Sequence, residues 1–199
     1  MKDVYTYKIG ENLYLNLTNR CSNRCTFCVR DESAEYEGYP LWLKGGEPTA
    51  EQVIAEIGDA KQYKEIVFCG YGEPTYRLEE MLRIAEYVHA CGGKTRLNTN
   101  GHGNAINGRN IAPELKGAID LVNVSLNAPD KARYEALCRP LKEKVSFDEM
   151  IAFARALKAE GVPCRFSVVD CIGAVQVEEC RGIAEKEEIP LYVREMITA

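Results

Sequence analysis

Thr18-Asn19-Arg20-Cys21-Ser22-Asn23-Arg24-Cys25-Thr26-Phe27-Cys28 is the stretch that decides how this chain is read. Its three cysteines are spaced C-x3-C-x2-C. They follow a short apolar run, residues 13–17, that alternates as a half-buried strand does. Three thiolates on one tight loop can hold three irons of a cubic iron–sulfur cluster. Such clusters ordinarily take four Cys ligands, so a fourth iron would stand open to chemistry. The segment is polar around its thiols, unlike a core strand. Arg20 and Arg24 lie beside them, where positive charge favours thiolate. A structural zinc site is the rival reading. No fourth ligand stands at zinc-finger spacing, and the two histidines, His89 and His102, are distant in sequence.

The other cysteines, Cys69, Cys91, Cys138, Cys164, Cys171 and Cys180, are widely spaced and match no ligand template. They read as scattered buried thiols. An odd total of nine cysteines, with a polar start at Met1-Lys2-Asp3-Val4-Tyr5, points to a reducing cytoplasm and not to a disulfide scaffold. The chain of 199 residues is 46% hydrophobic and 28% charged, which fits one soluble domain over residues 1–199. Its net charge of −5 argues against a sequence-independent nucleic-acid binder. No apolar run is long enough for a membrane span.

Strand-like and helix-like segments alternate. Strands are expected at residues 13–17, 66–69, 94–99, 121–126, 163–169 and 189–193. Helices are expected at 49–63, 78–91, 130–137, 146–160 and 175–187, with Ser146 and Glu149 set as a capping box and Gly161 as a stop. Such alternation implies parallel strands joined by right-handed crossovers. Six strands are too few for a closed eight-fold barrel, so the expected fold is α/β, a partial (β/α)6 TIM-like barrel. Function then gathers at the carboxyl ends of the strands.

Polar groups stand at those ends. Gly70-Tyr71-Gly72-Glu73-Pro74 follows the second strand, where glycine permits close backbone approach and Glu73 offers a carboxylate to an ammonium group. A near copy, Gly45-Gly46-Glu47-Pro48, has no strong strand before it and reads as a helix start, with Glu47 and Glu51 near the amino end. Asn98 and Asn100 share one face of the third strand; Ser125 and Asn127 share one face of the fourth. Inward polar groups are costly unless paired, and a ligand with hydroxyls would pair them. Residues 31–44, with Tyr36, Tyr39 and Trp42, read equally as a cover for this rim or as plain surface loop; His102 reads as solvent-exposed.

With these motifs the chain resembles the radical S-adenosylmethionine (SAM) enzymes, whose hallmark C-x3-C-x-aromatic-C is met by Cys21, Cys25, Phe27 and Cys28. The resemblance implies a radical SAM core with a [4Fe–4S] cluster on the three cysteines and SAM on the open iron. It implies SAM contacts from Gly70, Tyr71, Gly72, Glu73 and Pro74, from Asn98, Ser125 and Asn127, and from Val168 or Val169 near the adenine. It implies an electron donor such as flavodoxin or ferredoxin, and a 5′-deoxyadenosyl radical acting on a substrate the sequence does not name. The chain looks like a minimal core, without a carboxy-terminal cluster-binding extension. More narrowly, Asn16-Leu17-Thr18-Asn19-Arg20-Cys21, Cys28-Val29-Arg30 and Leu41-Trp42-Leu43 look like the TatD-linked radical SAM proteins. A glycyl-radical-enzyme activase, a deazapurine or tRNA-modification type of small-molecule synthase, and an iron–sulfur electron-transfer protein remain as alternatives.

Overall fold

The computed structural model describes residues 3–33, 35–141 and 145–196, so Met1 and Lys2 of the polar start lie outside the described residues. In chain order the elements are β1 (Thr6–Ile9), β2 (Asn12–Asn16), α1 (Val29–Glu32), β3 (Glu35–Tyr36), β4 (Tyr39–Pro40), α2 (Ala50–Ile57), β5 (Ile66–Cys69), α3 (Leu78–Ala90), β6 (Thr95–Thr99), α4 (Gly103–Asn107), α5 (Ala112–Leu115), β7 (Leu121–Ser125), α6 (Lys131–Cys138), α7 (Phe147–Glu160), β8 (Cys164–Val169), α8 (Ala174–Glu187) and β9 (Leu191–Arg194).

One seven-stranded sheet runs β1-β2-β5-β6-β7-β8-β9. From β2 to β9 every pairing is parallel, so the six expected strands are present in the expected order. The sheet is open, with β1 and β9 as its edges. β1 was not foreseen: it pairs antiparallel with β2 through the tight turn at Gly10. Four residues with a single positive-φ glycine give a weak periodic signal, and the pairing is fixed by the neighbouring strand. The helix expected at 49–63 stops at Ile57, because Gly58 takes φ +59 and a short 3-10 turn, Ala60–Gln62, follows. Ser146 does cap α7, accepting the N–H of Glu149.

Burial divides the sheet by side-chain parity. Leu13, Leu15, Ile66, Phe68, Leu97, Val122, Val124, Phe166 and Val168 pack with the helices in one core cluster. The alternate residues, among them Tyr14, Cys69, Arg96, Asn98, Asn123, Ser125, Arg165 and Ser167, turn to the opposite face, which is largely polar. A second cluster of Tyr7, Leu41 and Tyr71 packs under the β3–β4 hairpin. No helix among the described residues is long and apolar enough to cross a membrane.

Candidate functional site

The cysteine loop leaves the carboxyl end of β2 and is held on three sides. On one side it pairs with the end of α6: Arg24 N–H donates to the carbonyls of Cys138 and Arg139, and Thr26 N–H to that of Leu137. On a second, the Asn19 amide bonds the backbone of Leu43 in both directions and Asn16 Nδ2 donates to the carbonyls of Val4 and Leu41. Residues 35–43 are therefore tied beneath the loop's start, with Tyr36 and Tyr39 packed on the second cluster and Trp42 exposed. On the third side Glu47 accepts from Thr18 Oγ1, from Arg20 Nε at 2.8 Å and from Arg77 Nη1 at 2.9 Å. The helix-start reading of 45–48 stands, since Thr49 caps α2 in a reciprocal capping box with Gln52. What the sequence did not disclose is that Glu47 also clamps the segment entering the cysteine loop.

Cys21, Cys25 and Cys28 are half-buried free thiols, and Phe27 between them is half-buried too. Burial pushes the Cys21 thiol up to about 12, with the Glu73 carboxylate adding to the shift. Cys25 is raised by its hydrogen bond with the buried Cys138, and Cys28 by burial. The cation that opposes all these shifts is Arg30, not Arg20 or Arg24. Arg20 is spent on Glu47, and Arg24 is mostly exposed and lies 4.0 Å from Asp31. Arg30 is half-buried beside the loop, donating to the carbonyls of Asn19 and Tyr71. Only the local helix α1, which turns position 30 back toward the thiols, makes this so.

The turn after β5 meets the loop backbone directly. Glu73 N–H donates to the carbonyl of Arg20 at 2.8 Å. A Cβ on Gly72 would stand 2.3 Å from the Thr18 carbonyl oxygen and 2.7 Å from that of Arg20, and one on Gly70 would stand 2.5 Å from Asn16 Oδ1. Glycine is required here by close approach, and Gly70 also takes φ +100. The Tyr71 side chain packs into the second cluster and donates to the Ser33 carbonyl. Pro74 opens a 3-10 turn. The Glu73 carboxyl is fully buried: Oε1 accepts from Thr75 N, Thr75 Oγ1 and Thr99 Oγ1, and Oε2 from Asn100 N at 2.8 Å. Burial raises its pKa while these donors oppose the shift. Oε2 retains capacity for a further donor.

The remaining rim residues divide. Asn100 donates to Ser22 Oγ at 2.8 Å and stands 3.7 Å from Cys21 Sγ, so it belongs to the loop. Asn98, two residues earlier, faces Arg96, Asn123 and Cys69 on the polar sheet face. Ser125 is half-buried on that face. Asn127 leaves strand geometry at φ +58, and its Nδ2 lies 3.7 Å from Cys138 Sγ. Its Oδ1 is buried with no hydrogen-bond partner among the described residues. Of the two valines named for the fifth predicted strand, Val168 packs into the helix-facing core, because strand alternation turns it away from Ser125; Val169 lies on the Ser125 side. His102 is corrected outright: it is fully buried. Nδ1 accepts the Ser22 hydroxyl at 3.0 Å while Nε2–H donates to the Ser146 carbonyl at 3.1 Å, a tautomer assigned from these bonds. Cys138 is also more than a scattered thiol, and Cys171 is exposed.

These residues fit the group their spacing implies. Among the described residues no three His, Cys, Asp or Glu converge on one metal ion. A [4Fe–4S] cluster takes one thiolate at each iron, and three cysteines of one loop can supply three of them. Thiolate ligands would lose the raised pKa values, since a metal's charge inverts that balance. At the end of β7, Asn127 Oδ1, buried without a hydrogen-bond partner among the described residues, leaves an acceptor for a ligand hydroxyl.

Comparison with known proteins agrees with this geometry. The family model "Radical SAM superfamily" matches residues 15–181. The chain is 28% identical over 186 residues to molybdenum cofactor biosynthesis protein 1 of Bos taurus, covering 92% of this chain and 27% of that protein. It is 29% identical over 177 residues to GTP 3',8-cyclase of Corynebacterium glutamicum (strain R), covering 86% and 44%. The chain thus spans less than half the length of these relatives. The crystal structure of Streptococcus suis SuiB bound to S-adenosylmethionine shares the fold, with TM-score 0.68 at 18% identity over 94% of this chain and 40% of that one. Matched over most of its length, and with its three cysteines on the loop that leaves β2, the chain belongs to the radical SAM superfamily, enzymes that use a [4Fe–4S] cluster and S-adenosylmethionine.

Proposed function

We propose that Cys21, Cys25 and Cys28 hold the [4Fe–4S] cluster and that SAM binds across the strand ends from Gly70–Pro74 to Asn127, for hydrogen abstraction from a substrate. When bound, the cluster and SAM supply reductive cleavage of the sulfonium to methionine and a 5′-deoxyadenosyl radical. The chain's own part is placement. The Gly72 backbone, seated on Thr18 and Arg20, sets Glu73 Oε2 beside the loop to receive an ammonium group. Asn127 Oδ1 accepts a ribose hydroxyl, Ser125 lies on the same rim, and Val169, buried on the Ser125 face of β8, backs the adenine end of the site. Asn100 Nδ2 fixes the loop next to Cys21.

The observation that carries this reading is the direct packing of the 70–73 turn on the cysteine loop. A simple electron carrier has no use for a glycine-lined turn that sets a buried carboxylate against the cysteine loop. Of the substrate classes, a small-molecule synthase is preferred to a glycyl-radical-enzyme activase, because the curated relatives carry names of small-molecule chemistry. The likeness to TatD-linked radical SAM proteins rests on the loop motifs and adds no substrate. One core cluster, running from Leu13 to Ile189, supports residues 1–199 as a single core domain. Free thiols at all nine cysteines support a reducing cytoplasm, and membership of the family supports an electron donor such as flavodoxin or ferredoxin.

The test is anaerobic: reconstitute the cluster, add dithionite and SAM, and measure 5′-deoxyadenosine. Formation well above a Cys21→Ala control is expected. None above that control, with a full iron complement in the intact protein, would sink the reading.

A further inference from the structure

The sheet face turned away from the helices carries charge that the fold does not balance. A hydrogen-bonded ladder crosses it. Glu65 Oε2 accepts from Arg96 Nε at 2.9 Å, and Arg96 Nη1 donates to Asn98 Oδ1 at 2.8 Å. Asn123 Nδ2 donates to the same oxygen at 2.9 Å, and Arg165 Nε donates to Asn123 Oδ1 at 2.6 Å. The ladder ends with the Arg165 guanidinium over the Tyr192 ring, 4.3 Å from its centroid. Glu65 balances Arg96. Arg165 has no acidic partner among the described residues, and neither has Arg194, two residues beyond Tyr192 on the same face.

A half-buried guanidinium without a counter-charge is costly to keep. In a chain of net charge −5 it is no by-product of composition. Its Nε is engaged and its stacking fixes the plane, so the two Nη groups are pre-oriented as a fork, the geometry that suits a carboxylate or phosphate. Arg165 lies two residues before Ser167, which is in register with Ser125 at the rim. Two strand residues span about 7 Å, so an anion on Arg165 would leave the rest of its molecule reaching up to the cysteine loop.

We propose that Arg165 is the anion anchor of a substrate site on this polar face, and that the substrate carries a carboxylate or phosphate group. The proposal rests on the SAM-binding reading of the rim and names the class of molecule presented to it. Complementary charge is what selects this occupant: the face offers stacked aromatic surface and a guanidinium without an acidic partner among the described residues, and Glu65 is already committed to Arg96.

The test reads occupancy, not turnover. The cluster-loaded chain is treated with phenylglyoxal, with or without pyrophosphate or citrate, and adducts at Arg165 are counted by peptide mass spectrometry. An anion that binds here is expected to slow modification of Arg165 about tenfold while Arg181 on α8 reacts at an unchanged rate. Protection by pyrophosphate alone assigns a phosphate, by citrate alone a carboxylate, and by both the anion class. Unchanged Arg165 modification with each anion overturns the proposal. Calorimetry with the protecting anion supplies the second arm: Arg165→Gln should lose the binding heat and Arg165→Lys retain part of it. An Arg165→Gln protein that melts normally and binds as tightly as wild type also overturns it. Failure of the intact protein to cleave SAM would refute the rim reading and leave this footprint readable.

Discussion

Ser22, inside the cysteine loop, and His102, at the start of α4, meet at 3.0 Å between Oγ and Nδ1. With Asn100 donating to Ser22 and the Ser146 carbonyl taking the Nε2–H of His102, they form a buried chain of bonds from the loop to the cap of α7. Burial holds the His102 pKa at about 4 against the ordinary 6.5. The fold therefore favours neutral imidazole. This contribution is fully present above pH 6.5 and lost as pH falls toward about 4, amounting to about 3 kcal/mol. His102→Gln should cost about 1–3 kcal/mol near neutrality, since it leaves buried partners unsatisfied. Urea unfolding of both proteins at about pH 7.5 and about pH 4.5 should show the gap shrinking with acid. A gap that stays constant would show that His102 does not titrate in this way.

Gly72 and Gly182 offer a contrast. Alanine at 72 would drive a Cβ into two backbone carbonyls of the cysteine loop, whereas at 182 nothing lies within 4 Å. Gly72→Ala is expected to lower stability by about 1–3 kcal/mol and to cut the iron retained after reconstitution. Gly182→Ala, inside α8, should raise stability by about 0.5–1 kcal/mol with iron content unchanged. Iron analysis and thermal melting of the pair decide the matter.

The two Gly-Glu-Pro segments should separate by function. Glu73→Gln sets an amide donor against the Asn100 N–H or its hydroxyl donors, costing about 1–3 kcal/mol and weakening SAM. Glu47→Ala releases Arg20, Arg77 and Thr18, so it should lower cluster retention more than SAM affinity per cluster. SAM titrations normalised to iron content compare them; a larger loss of affinity in Glu47→Ala would exchange their roles.

Asn127 is predicted to matter for ligand and not for fold. Its Oδ1 has no partner among the described residues and its φ of +58 suits glycine. Asn127→Gly should leave the melting temperature nearly unchanged while weakening SAM about tenfold, the effect of about 1.4 kcal/mol. Equal SAM affinity in the two proteins would remove Asn127 from the site.

Local signals made much of this legible. The C-x3-C-x2-C spacing, the glycines at 70 and 72 and the 3.6- and 2-residue periods lie within short windows, and each has a local physical cause. They placed six strands, the loop after the first and the turn after the second. The edge strand β1, the clamp by Glu47, the burial of His102 and the nearness of Arg30 to the thiols were hidden, because each depends on which segments distant in sequence come together. The choice between Val168 and Val169 needed the strand's register, since one step of alternation exchanges core for rim. By itself, then, the sequence determined the three-cysteine loop and the order of the parallel strands, through spacing and periodicity. The tertiary structure decided which cations, acceptors and faces attend that loop, because burial and pairing across strands are properties of neighbours in space.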